Sequence, residues 1–177
     1  MDRRARPAGA NERGASSLCY DAEETGGENM PKLGKAQVAM NGLLGSLVGL
    51  IRDWKPGRLG AEIQYRDSLV SFLRASIPED CRVEREYRHA GTTADAFVSW
   101  KGMLLSDEVF IEIKVNLRKK SAYDRLVGQI EGLDPARRKI LIVLVGESDD
   151  GLVGRLKDKY PTDDDFDDSK VRIVIVR

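Results

Sequence analysis

Residues 108–115 read Glu-Val-Phe-Ile-Glu-Ile-Lys-Val, and residues 93–98 read Thr-Ala-Asp-Ala-Phe-Val. Both runs are β-branched and aromatic enough to form strands. Side chains alternate across a strand, so Ile111, Ile113 and Val115 share one face while Phe110, Glu112 and Lys114 share the other. A glutamate and a lysine two residues apart in so apolar a strand are costly to bury unless they are paired or bound to a cation. An edge strand with a solvated Glu–Lys face would serve equally well if this strand were all there was to read. Asp95 adds a second anomaly, because aspartate is a poor strand former.

If the two runs form a hairpin that turns near Met103–Leu104, Asp95 falls opposite Glu112. Facing residues of an antiparallel pair stand roughly 4.5–5.5 Å apart. Two carboxylates that close repel, and a hard divalent cation relieves the repulsion. Mg²⁺ takes one or two carboxylates plus water and substrate phosphate. Lys114, two residues beyond Glu112 on the same face, can reach a nucleophilic water or a phosphate oxygen. Such a set suits phosphodiester hydrolysis.

Around this pair the chain organises readily. Residues 1–34 are rich in Gly, Arg, Glu, Ser and Asn and are expected to form a disordered tail. Its basic start (Arg3, Arg4, Arg6) could touch a phosphate backbone or simply be solvated. Residues 35–57 form an N-terminal helical unit. Its helix runs from Lys35 to Trp54, with Val38, Leu43, Leu44, Leu47, Val48, Leu50 and Ile51 on its apolar side and Pro56-Gly57 ending it. Gly42, Gly45 and Gly49 weaken that helix but permit close packing, including against a partner or a second copy.

Residues 58–177 are expected to form the main domain. A helix over Leu59–Ala75 carries Ile63, Tyr65, Leu69, Phe72 and Leu73. Strands follow at Arg82–His89, Ala94–Trp100 and Glu108–Val115. Next come a helix at Ser121–Leu133, a doubly covered strand at Ile140–Val145, a short helix at Asp150–Tyr160 and a strand at Val171–Val176. This order predicts an α/β fold: a mixed sheet, a meander followed by crossovers, with helices on both faces.

Asp95, sixteen intervening residues, then Glu112-Ile113-Lys114 resembles the PD-(D/E)XK nuclease superfamily, which includes restriction endonucleases, Holliday-junction resolvases and repair exonucleases. The resemblance implies a restriction-endonuclease-like α-β-β-β-α-β core, matching residues 59–146, with an extra N-terminal helix. Ala94 replaces the proline of the motif, a change the family tolerates. The resemblance implies Mg²⁺, with Mn²⁺ as a substitute, held by Asp95, Glu112, Ile113 and a first-helix acid, with Lys114 positioning the water. Glu62 is preferred over Asp67 for that acid because it lies near the packed stripe, although a first-turn glutamate also suits the helix dipole. Gln129, on the helix after the motif strand, is the expected polar active-site residue, or else a surface glutamine. Arg118, Lys119 and Lys120 are expected to bind phosphates or to form a solvated basic turn.

The expected function is an Mg²⁺-dependent endonuclease acting on DNA. The alternative is a non-catalytic nucleic-acid-binding or assembly subunit that keeps the fold. Partners are then DNA and either a second copy or another protein, with no membrane and no nucleotide cofactor.

The 177 residues carry 29 basic and 29 acidic side chains, so net charge alone does not point to nucleic acid. No GxxxxGK[ST] segment supports ATP hydrolysis. Cys19 and Cys81 lie in no metal-ligand spacing, and Met1–Gly14 lacks an apolar run. A cytoplasmic setting is expected. His89 builds no nucleophilic triad and is expected at a strand end, while Tyr123, Trp54 and Trp100 are expected to pack. The acids Asp163–Asp165, Asp167 and Asp168 lack EF-hand spacing and are expected in a solvated loop.

Overall fold

The computed structural model describes residues 30–102, 106–161 and 170–177. Most of the expected tail, the turn at Met103–Leu104 and the acidic run from Asp163 lie outside the described residues.

The elements, in chain order, are α1 (Lys35–Arg52), α2 (Glu62–Ser76), β1 (Cys81–His89), β2 (Thr92–Lys101), β3 (Ser106–Val115), α3 (Lys120–Gly132), β4 (Lys139–Val145), α4 (Asp150–Lys159) and β5 (Val171–Val176). The fold is α/β, and its α2-β1-β2-β3-α3-β4 run has the order of a restriction-endonuclease-like core. The sheet order is β1-β2-β3-β4-β5. The first three strands form an antiparallel meander, and β4 and β5 continue parallel to β3. Parallel neighbours need crossovers, and α3 and α4 supply them. Two same-handed crossovers stepping in one direction put α3 and α4 on one face. The other face is closed by α1, over β3, β4 and β5, and by α2, over β1, β2 and β3.

Each face therefore has its own core. Leu43, Leu47, Ile51, Leu69 and Leu73 meet Ala96, Val98, Ile111, Ile113, Leu141 and Val143 on the α1/α2 side. Leu126, Ile130, Leu133 and Leu156 meet Phe97, Phe110, Ile140, Ile142 and Leu144 on the α3/α4 side. All six residues Ile140–Val145 are buried, as an unbroken apolar strand requires.

Two expectations are corrected. The first helix is interrupted at Gly42, whose φ of 69° and ψ of 164° suit only glycine. Leu43 then opens the second segment, and its amide donates to Asp107 Oδ2 of β3 at 3.1 Å. Ile63 is 55% exposed and does not join the apolar face of α2. It stands about 200° from Tyr65 on the helical wheel, and Tyr65 is the one that is buried.

Trp54 and Trp100 do pack, donating to Ser68 Oγ and Asp80 Oδ2. Tyr123 lies against the α3/α4 core. His89 ends β1 with its ring edge-on to Phe110.

Candidate active site

The site grows from a fork in the sheet. Strands β2 and β3 pair from Lys101↔Ser106 to Ala96↔Ile111, and the ladder stops there. The register is the expected one and, continued by one pair, sets Asp95 opposite Glu112. The strands diverge before that pair forms. β3 instead keeps its parallel partner β4 as far as Val115↔Val145.

Beyond the fork, two β3 amides lack β2 acceptors, and carboxylates take them. Ile113 N donates to Asp95 Oδ2 at 2.9 Å. Val115 N donates to Glu62 Oε2 at 3.4 Å. The other Glu62 oxygen accepts from Lys114 Nζ at 2.8 Å. The first turn of α2 thus reaches the open end of the fork. Its N-terminus is held by Gln64 Oε1, which accepts from the amides of Gly60 and Ala61. Asp67, the less favoured of the two first-helix acids, turns to Arg66 and Arg85 instead.

Glu112 is 1% exposed. Gln129 of α3 donates to its Oε2 at 3.2 Å, so the glutamine faces the site and not solvent. Glu112 Oε1 and Gln129 Oε1 are both buried without a donor. Orphaned buried acceptors are rare, and each calls for a proton, a water or a cation. Burial, and then the negative charge of Asp95, push the Glu112 carboxyl up to about 9, while Lys114 partly opposes the shift. Asp95 is raised too, by burial first. The Ile113 amide opposes this, Glu62 adds to it, and Lys114 and Arg66 oppose it again. With both acids ionised, Glu112 Oε1 has no donor. Protonating one would let the two carboxyls share a hydrogen bond.

The residues present fit a small hard cation. The donors are two carboxylates, and Mg²⁺ completes its shell with water and substrate oxygens rather than a full protein cage. Among the described residues no group of three or more His, Cys, Asp or Glu side chains is assembled for a metal. Glu62 does not add a third because its carboxylate is taken by Lys114 and Val115. The Ile113 side chain packs in the α1/α2 core, so only its backbone carbonyl could contribute.

Arg118, Lys119 and Lys120 are exposed and join β3 to α3. Arg118 pairs with Glu147, whereas Lys119 and Lys120 open α3.

Arg66 and Glu86 are the residues that sequence reasoning misses. Arg66 is 8% exposed on α2, one turn after Glu62, and pairs with Glu86 of β1. A usable signal exists: position 66 falls on the stripe of Tyr65, Leu69 and Leu73, where an arginine needs an internal partner.

No protein-family model matches this chain, and no curated protein does. Among solved structures it is similar to Pyrococcus furiosus SfsA in complex with Ca²⁺, at 16% identity and a TM-score of 0.39, over 63% of this chain and 54% of that one. The chain thus spans about half the length of that protein.

Proposed function

We propose that the protein is a divalent-metal-dependent nuclease, an endonuclease hydrolysing DNA phosphodiester bonds, with its centre at the β2–β3 fork. One observation carries this reading: Glu112 Oε1 is buried without a donor beside the Asp95 carboxylate, with the Lys114 ammonium on the same strand. Two adjoining buried acids that repel when both are ionised would be reconciled by a cation.

Asp95 and Glu112, with the Ile113 carbonyl, would hold Mg²⁺ or Mn²⁺. When bound, the ion supplies Lewis-acid polarisation of a phosphoryl oxygen and neutralises charge. Lys114 orients the attacking water and offsets negative charge growing on the phosphate. Glu62 fixes the Lys114 ammonium and takes up its charge when substrate is absent. Gln129 holds Glu112 in one rotamer through Oε2. Arg118, Lys119 and Lys120 lie next in the chain, where the flanking phosphates would run.

The test is cleavage of linear, nicked and branched DNA with Mg²⁺ or Mn²⁺. Asp95→Ala and Lys114→Ala should each lower the rate by about a thousandfold or more. Cleavage that survives both substitutions removes the proposal. A second reading, a DNA-binding subunit without turnover, draws on the Glu62–Lys114 ion pair, which occupies the amine that catalysis needs. DNA binding without cleavage under either metal would select it.

A further inference from the structure

Consecutive residues of a regular strand point to opposite faces. Arg85 and Glu86 of β1 do not. Arg85 pairs with Asp67 of α2 at 3.3 Å, and Glu86 pairs with Arg66 of the same helix. Arg66 and Asp67 are themselves joined at 3.2 Å. Two neighbours on the strand thus engage two neighbours on the helix.

The backbone explains how. Glu86 has a φ of 53°, left-handed and uncommon for a residue with a side chain. The β1–β2 ladder runs Arg85↔Ala96, omits the next position, and resumes at Tyr87↔Ala94. The position omitted on β2 is Asp95. Before this point β1 sends Val83 to the α1/α2 core, and after it Tyr87 stacks on Phe97 in the other core. The strand therefore turns over at Glu86, beside the aspartate of the fork.

We propose that the Arg66–Glu86 pair, with Asp67 and Arg85 as its outer half, is a positioning clamp for the two carboxylates that cap the fork. Glu62 and Arg66 stand four apart on α2, so fixing Arg66 fixes the turn that carries Glu62. Glu86 and Asp95 occupy the matching irregular positions of β1 and β2, so fixing Glu86 fixes the backbone that aims Asp95. The buried guanidinium also lies close enough to act electrostatically on Asp95. Neither Arg66 nor Glu86 is assigned contact with substrate or metal; both act through Asp95 and Glu62. The proposal rests on the nuclease reading for its purpose but not for its test.

The clamp is read by amide hydrogen exchange, which needs neither metal nor DNA. The amides of Ile113 and Val115 lie past the end of the β2–β3 ladder and donate to Asp95 and Glu62, so their protection reports the carboxylates. Glu86→Gly keeps the left-handed backbone and removes the carboxylate. It should speed exchange at Ile113 and Val115 by about tenfold, with Val109 and Val143 within about twofold of wild type. Arg66→Met should do the same, and Arg66→Lys should restore most of the protection. Unchanged Ile113 and Val115 in both Glu86→Gly and Arg66→Met overturns the clamp. Uniform acceleration at all four amides also overturns it, because the pair would then serve general stability alone. A wild-type chain that neither binds Mn²⁺ nor cuts DNA removes the nuclease reading, and the exchange result still decides the clamp.

Discussion

β3 is two strands in one. Past the polar start at Ser106–Glu108, its first half, Val109 to Ile111, is paired on both sides, buried and apolar. Its second half, Glu112 to Val115, keeps β4 on one side and loses β2 on the other. There carboxylates accept from the backbone, and two of the four side chains are buried ionisable groups. The first half is built for stability. The second half departs from the same rules, and such departures gather where a protein acts rather than where it merely folds.

Substitutions in the two halves should dissociate stability from activity. In the first half, Ile111→Ala should lower unfolding free energy by roughly 2–5 kcal/mol. Its cleavage rate, measured well below the melting temperature, should stay near wild type. In the second half, Glu112→Gln should abolish cleavage yet raise the melting temperature of metal-free protein by several degrees. An equal loss of stability from both substitutions would erase the distinction between the halves.

The dissociation has a pH signature. The Glu112 carboxyl lies near 9 in the folded chain, against an ordinary 4.5. The folded state therefore binds the extra proton, and metal-free stability must fall as pH rises through the window from about 4.5 to about 9. Mg²⁺ should flatten that slope, most at the alkaline end, because a ligand bound only by the folded state stabilises it. Thermal melts in chelator and in Mg²⁺ across this range check it. A slope that persists unchanged in Glu112→Gln would move its origin elsewhere.

Smaller effects should separate the fork from its margins. Gln129→Leu removes the donor to Glu112 Oε2 and should cost about tenfold in rate with little change in DNA affinity. Single alanine substitutions at Lys119 or Lys120 should leave the maximal rate alone and lower the salt dependence of DNA binding by about one counterion each. Salt titrations read by fluorescence anisotropy test the last of these.

Much of this architecture is legible in the residues. Ile140–Val145 is the unbroken apolar run typical of a doubly covered strand, and the alternation at Arg82–His89, followed by the strands expected at Ala94–Trp100 and Glu108–Val115, points to a meander. The hairpin register follows from one assumed turn. Where periodicity is the only guide, detail fails. It groups Ile63 with a face that residue does not share, and it shows the break at Gly42 only as a weakened helix. Arg66 and Glu86 stay hidden because a charged residue on a buried stripe reveals its partner only when a second element arrives.

The sequence by itself determined the order of elements, the α/β class and the short list Asp95, Glu112, Lys114, Glu62 and Gln129. Side-chain period and turn residues, which act over a few positions, sufficed for the elements and for Asp95, Glu112 and Lys114 as candidates, while Glu62 and Gln129 followed from the resemblance to the PD-(D/E)XK superfamily. Tertiary structure alone decided that β2 and β3 diverge just short of the acids and that Glu62 takes Lys114. It also decided that Glu112 keeps an oxygen with no donor. Those outcomes depend on which groups are left over once every strand and helix has found its neighbour, and that remainder is a property of the whole fold.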